Sequence, residues 1–234
     1  MIIEKPRVLV PQSALDPRIL EKLERYARVC YKSEGKIKGD TAAPFLRNIL
    51  QRGHESVIEH EKITVLMVVD RGISHEIVRH RLGSYSQEST RYCNYSREQF
   101  GREITVIEPF FLVGKEEYRY WEEACLVAEK SYMALLKTYS PQEARSVLPT
   151  SLKTEVVVTY NLREWRHFFR LRCSPAAHPQ MRQVAVPLLL LFRSKLPVLF
   201  EDIPYDGQFP REHYARVVLT DDLFNPLEPR QDGN

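Results

Sequence analysis

Three runs rich in β-branched residues, "KITVLMVV" (62–69), "EITVIEP" (103–109) and "TEVVVTY" (154–160), constrain the fold most. Each has the length and composition of a strand, and a shorter "RVLV" near the start is a fourth candidate. No two-residue turn joins any of them to the next. Helical segments lie between. One is predicted over 16–33, where Asp16 serves as N-cap and Pro17 opens the first turn, and a second over 41–54 ends near Gly53. Others are "ISHEIVRHRL" (73–82), an amphipathic stretch from about 116 to 138, "PQEARSVL" stopped by Pro149, "NLREWRHFFRLR" (161–172) and "QMRQVAVPLLLLFRSKL" (180–196). Strands and helices do not alternate as regular βαβ units. The pattern therefore predicts an α+β fold, with a small, mostly antiparallel sheet flanked by helices. The segment 200–234, rich in proline and acidic residues, is expected to be an irregular tail that frays at its end.

The chain of 234 residues, 43% of them hydrophobic, can bury one sizeable core, and a single domain over 1–234 is expected. Lysine and arginine number 34 against 31 acidic residues, a net charge of +3. That bias is too weak for a dedicated nucleic-acid surface, so any anion binding must be local. "MIIEKPRVLV" lacks the features of a secretory signal, and the longest apolar run, "VAVPLLLLF" (184–192), is too short to span a bilayer. A cytoplasmic protein with no membrane partner is expected. Cys30, Cys93, Cys125 and Cys173 are scattered with no C-x-x-C pair, which argues against a disulfide framework and a structural zinc site.

Charge is concentrated at one place. "RHRLGSYSQESTRY" (79–92) holds three arginines, a histidine and four hydroxyl residues in addition to two tyrosines. Such planar forks and short donors suit an anion, although a helix end followed by a polar loop would have the same composition. "HEIVRH" and "HESVIEH" miss the zinc-protease spacing, because the second histidine falls at i+5 and i+6. Neither a P-loop nor a dinucleotide glycine fingerprint occurs, so phosphate binding would rest on arginine. Taken singly, His54 and His60 read as polar loop or core histidines. On the helix 161–172, Leu162, Trp165, Phe168 and Phe169 form an apolar stripe and Arg163, Arg166 and Arg170 an opposing basic face. Arg172 falls within the apolar stripe. Its charge must escape at the helix end, helped by the helix dipole, or meet an anion.

The ordered set of motifs resembles the flavin-dependent thymidylate synthases. Arg79, His80, Arg81, Ser84, Ser89 and Arg91 meet every fixed position of the signature R-H-R-x-x-S-x-x-x-x-S-x-R. "ARVCY" (27–31), "GHESVIEH" (53–60), "ARSVLP" (144–149), "NLREWRHFFRLR" and "AHPQ" (177–180) follow in the family's order, so the resemblance spans about 25–195. It implies reductive methylation of dUMP, with methylenetetrahydrofolate as carbon donor, FAD as hydride carrier and NADPH as reductant, in a homotetramer whose sites draw on several subunits. By position it implies FAD contacts for Ser56, Arg79, His80, Arg81, Asn161, Arg163 and His167, with His54 and His178 as further candidates. It implies dUMP contacts for Glu76, Arg79, Gln87, Glu88, Ser89, Thr90, Arg91 and Arg145. Arg172 matches the arginine set against the uracil edge, where its charge would pair with the pyrimidine instead of a protein carboxylate. No resident metal and no cysteine nucleophile are implied, which leaves Cys173 a structural residue.

Some positions depart from the family pattern. Glu76 and His167 stand where glutamine and asparagine are common, and Gln87 where glutamate is usual. Glu76 is expected to pair with Arg79 one helical turn away or to meet a sugar hydroxyl. Extra residues in "RCSPAAHP" shift His178 relative to the helix before it. Two other readings share these residues. One is a single-strand RNA clamp, marked by steep salt dependence and no flavin colour; the other is a flavin-binding relative that has lost methylation.

Overall fold

The structure, a computed structural model, describes residues 1–220 and residue 223. From the N-terminus, strands β1 (Ile2–Glu4) and β2 (Arg7–Pro11) precede helices α1 (Arg18–Tyr31) and α2 (Ala42–Gln51). Strand β3 (Lys62–Asp70) runs straight into α3 (Arg71–Ile77), which is followed by β4 (Gly83–Gln87) and β5 (Thr105–Ile107). Helix α4 (Tyr118–Leu135) and the short α5 (Pro141–Ala144) come next, then β6 (Lys153–Asn161), continuous with α6 (Leu162–Arg172). Helices α7 (Pro179–Lys195) and α8 (Pro197–Phe200) and strand β7 (Arg216–Thr220) complete the described chain.

The main sheet has the order β4-β6-β3-β2-β7. Its β4·β6, β6·β3 and β3·β2 pairs are antiparallel and β2·β7 is parallel, so the expected α+β architecture is present. Inward residues alternate along β6 as Thr154, Val156, Val158 and Tyr160, the period of a sheet with one face on a core. Against that face pack Trp165, Phe168 and Phe169 of α6 and Phe192 of α7. The apolar stripe read from 161–172 is this seam. A smaller cluster of Tyr95, Ile104, Val106, Cys125, Tyr132 and Leu152 lies beneath α4, beside a separate parallel pair of β1 and β5.

Four expectations change. The helix predicted over 73–82 ends at Ile77, so Arg79, His80 and Arg81 lie beyond it. The chain then enters β4, a polar edge strand with no apolar alternation for a sequence pattern to detect. The tail is not irregular throughout, because Arg216–Thr220 adds β7 to the far edge of the sheet; the fraying expected beyond residue 220 falls almost wholly outside the described residues. Finally, Arg166 is not on an exposed basic face. It is 1% exposed and paired with Glu55 and Asp202.

Two strand-to-helix junctions position the site. Asp70 caps α3 by accepting the N–H of Ile73 at 2.7 Å, and Asn161 caps α6 by accepting that of Glu164 at 2.8 Å. The caps sit at opposite ends of the paired strands, since Asp70 faces Lys153 and Lys62 faces Asn161. The helices therefore start from opposite ends of the β3·β6 pair. Gly83 lets the returning chain close against β6, where a Cβ would collide with the ring of Tyr160.

Candidate active site

A cleft of about 790 Å³ opens between the 79–82 turn, the Glu55–His60 segment and α6, lined by Arg79, Arg81, Arg163, Arg170 and Arg172 among others. His80 and Glu164 lie in its wall, nearly closed off from solvent, with side-chain exposures of 3% and 6%. The turn is gripped from behind. Tyr85 donates a short hydrogen bond to the carbonyl of His80, and its hydroxyl lies 2.9 Å from that of Tyr160.

The His80 ring is held between two partners. Its Nδ1 lies 2.9 Å from Glu164 Oε1, and its Nε2 lies 3.1 Å from Arg172 Nε. A guanidinium only donates, so Nε2 accepts and the proton is on Nδ1, donated to Glu164. Burial pushes the imidazole below its ordinary pKa, and the charges of Arg172 and His167 act in the same direction against the raising influence of Glu164. His80 is therefore neutral at pH 7. His80, Glu164 and His167 bring three donor atoms within 4.8 Å of one another, close enough to chelate a metal ion. The Arg172 cation 3.1 Å from Nε2 opposes a second cation there.

Arg172 leaves the apolar seam at the end of α6 and turns back toward α3. It donates to Glu76 Oε2 at 2.7 Å and to the Glu76 carbonyl at 3.1 Å. The partner of the Glu76 carboxylate is thus Arg172 and not Arg79, and in this structure Arg172 is paired with a protein carboxylate. Three of its five N–H groups are used, and the side chain retains 20% exposure. Arg79 and Arg81 have no carboxylate partner among the described residues. Arg163 pairs with Glu59 at 2.5 Å, and Arg170 with Glu55 at 2.9 Å.

Of the residues marked in the sequence, Arg79, His80, Arg81, Asn161, Arg163, His167 and Arg172 line this one cleft. Glu76 and His178 share a neighbouring cleft of about 260 Å³ with Asp70 and Gln180. Others lie elsewhere on the chain. Gln87 donates to Ser74 and Thr154, and Glu88 accepts from Tyr95 at 2.8 Å with Lys153 at 3.3 Å, lining a separate cavity. Ser89, Thr90 and Arg91 follow in the loop after β4, with Thr90 buried and Arg91 exposed. His54 is exposed and bonded to the Tyr31 hydroxyl at 2.9 Å, while Ser56 and Arg145 are also exposed. Glu55, Glu59 and Glu164 were not marked. Glu164, three residues after the capping Asn161, has the spacing of a capping-box acid, which concealed its turn toward His80.

Fold and cleft together define an α+β domain with an arginine-rich pocket suited to a ligand carrying more than one anionic or electron-rich group. Residues 15–198 match the family model described as thymidylate synthase complementing protein. The flavin-dependent thymidylate synthase of Geobacter sulfurreducens is 35% identical over 204 residues, covering 84% of this chain and 86% of the relative. That of Pyrococcus abyssi is 37% identical over 180 residues, 74% of this chain and 73% of the relative. Among solved structures, a UMP/dUMP methylase, PolB from Streptomyces cacaoi bound with 5-Br dUMP, superposes with a TM-score of 0.67 at 21% identity, covering 86% of this chain and 96% of that one. At that identity the superposition speaks for the fold. The chain belongs to the flavin-dependent thymidylate synthase family and is an enzyme.

Proposed function

We propose that this enzyme converts dUMP to dTMP by reductive methylation, with methylenetetrahydrofolate as carbon donor, FAD as resident flavin and NADPH as reductant, in the cytoplasm. The observation that carries the reading is Arg172, a fixed cation at the cleft with two N–H groups left for a ligand. Family membership and the curated relatives support the flavin, and the 5-Br dUMP bound to the Streptomyces methylase supports a deoxyuridylate.

The cleft residues fit a flavin dinucleotide. Arg79 and Arg81 offer unpaired guanidinium groups to a pyrophosphate, and Asn161, committed to its helix cap through Oδ1, keeps its amide N–H groups. Arg163 would contribute by exchanging Glu59 for the ligand. Bound FAD supplies hydride drawn from NADPH. The chain itself supplies electrostatics. Placed against the O–C–N edge of uracil, Arg172 stabilises negative charge spreading over the ring as its 5-position becomes nucleophilic. Glu76 holds the guanidinium from the other side and yields part of that pairing when the more negative ring arrives. No thiol is required: burial drives the Cys173 thiol far above its ordinary pKa, which leaves it a poor nucleophile.

Ser56, His54, Arg145, Gln87, Glu88, Ser89, Thr90, Arg91 and His178 lie outside this cleft in one chain. We assign the ligand contacts among them to sites completed across a homotetramer, in which the loop after β4 serves a neighbouring subunit. Light scattering should give four chains per particle, and a fully active monomer would refute the assembly.

The decisive experiment starts from purified protein. It should be yellow, bleach when NADPH and dUMP are added without oxygen, and form dTMP once methylenetetrahydrofolate is present. A preparation that takes up no flavin would overturn the reading. Arg172→Ala should stay folded and yellow while dTMP formation falls by roughly 10²–10³, the effect of removing a fixed transition-state charge. Near wild-type turnover would return Arg172 to a helix-capping role.

A further inference from the structure

Glu164 has no place in the chemistry above, yet it is a buried carboxylate beside the cleft. We infer that Glu164 is a positioning residue for Arg172, acting through His80. The inference rests on the proposed role of Arg172 and deepens it.

The chain of contacts has a direction. Glu164 Oε1 accepts the Nδ1 proton of His80, which leaves a lone pair on Nε2, and that lone pair accepts Arg172 Nε–H at 3.1 Å. Reversing the tautomer, or protonating the ring, would set an N–H against an N–H at that contact. Only with Glu164 as acceptor does His80 present the correct atom to the arginine. The ring cannot easily choose otherwise. Its faces and edges are packed by Phe168 at 5.0 Å, His167 at 5.5 Å and Tyr160 at 6.0 Å, and its carbonyl is tied to Tyr85. Helix α6 therefore carries both ends of the device, Glu164 in its first turn and Arg172 in its last, with His80 from the turn after α3 as the link. The other end of the guanidinium is fixed by Glu76. Nε is held by His80 and NH1 by Glu76, so the plane of the fork is set from two sides before any substrate enters.

This arrangement gives the His80 ring a task beside any flavin contact. Both ring nitrogens are used inside the protein, so the imidazole has none left for a cofactor.

The test is a double-mutant cycle read by dUMP affinity in calorimetry and by single-turnover dTMP formation, on flavin-saturated protein. Glu164→Ala should weaken dUMP binding and slow dTMP formation by about 10–100-fold, the range for loss of an orienting partner. Glu164→Gln keeps an acceptor for Nδ1–H and should recover most of the loss. In an Arg172→Ala background, Glu164→Ala should change dUMP affinity no further, because its effect passes through the missing side chain. Losses that add in the double variant would overturn the inference. Should Glu164→Ala fold poorly, the paired replacement Glu164→Leu with His80→Phe removes both polar partners together and should show the same loss. A crystal structure of a Glu164 variant gives a readout independent of the reaction. Arg172 turned away from residue 80 supports the coupling, and Arg172 unmoved refutes it. If wild-type protein neither binds nor methylates dUMP while Arg172 still moves in that crystal, the functional reading fails and the coupling stands.

Discussion

Replacing Arg166 by methionine tests whether the basic residues of α6 divide as the structure divides them. Arg166 donates to Asp202 through both ends of its fork at 2.7 and 2.6 Å, to Glu55 at 3.1 Å and to the carbonyl of Leu199. It ties α6 to the segment before β3 and to the end of α8. Truncating one partner of a fully buried ion pair costs about 3–5 kcal/mol, because the other charge is stranded. Here the stranding is partial: Asp202 is 56% exposed and can rehydrate, and Glu55 keeps Arg170 at 2.9 Å. Methionine also restores most of the apolar volume. The net loss should therefore be about 2–3 kcal/mol, or roughly 4–12 °C in Tm for a chain of this size. Urea titration and calorimetry at saturating flavin would measure it, with Arg163→Ala as the comparison. Arg163 is 52% exposed and pairs with Glu59, itself 41% exposed, so its loss should change stability by less than about 0.5 kcal/mol while weakening flavin binding. If Arg166→Met proved as stable as wild type but lost its flavin, Arg166 would be a ligand residue and the division would be wrong.

Replacing Cys30, Cys93, Cys125 and Cys173 together by alanine should leave dTMP formation within about an order of magnitude once folded protein is counted; a folded, flavin-loaded but inactive variant would point to a sulfur nucleophile. A pH effect should trace to His80. Burial first, then Arg172 and His167, hold its folded-state pKa below the ordinary value, so the unfolded chain takes the proton first as pH falls. Its contribution to stability is complete above about pH 6.5 and is lost as pH falls through the folded-state value. Urea midpoints compared at pH 7.5 and 5.5 should therefore decline more steeply in wild type than in the Glu164→Leu/His80→Phe variant. Equal declines would exclude His80 as the source.

What the sequence determined by itself follows from local periodicity and residue chemistry. The strands at 62–70 and 153–161 and the helix at 162–172 declare themselves because burial requires apolar residues, as a continuous run along β3, which is covered on both faces, and at period 2 or 3.6 along β6 and α6. Arg172 also stood out in the sequence, since a guanidinium in an apolar stripe demands a partner, and the structure supplies Glu76. Strand β4 left no such trace, whereas β7 carries the mostly β-branched run of Val217, Val218, Leu219 and Thr220 within a tail that was read as irregular. An edge strand is held by backbone hydrogen bonds to its neighbour, and almost any side chains can accompany those. Which arginine is structural and which is free was also hidden. Arg166 and Arg163 look alike in a helical wheel, but Arg166 meets Asp202 36 positions away and Glu55 111 positions away, and Arg172 meets Glu76 across 96. Charge pairing over such separations is decided only when the sheet brings α3, α6 and the Glu55–His60 segment together. Burial then determines which charges must be satisfied inside the protein and which remain for a ligand.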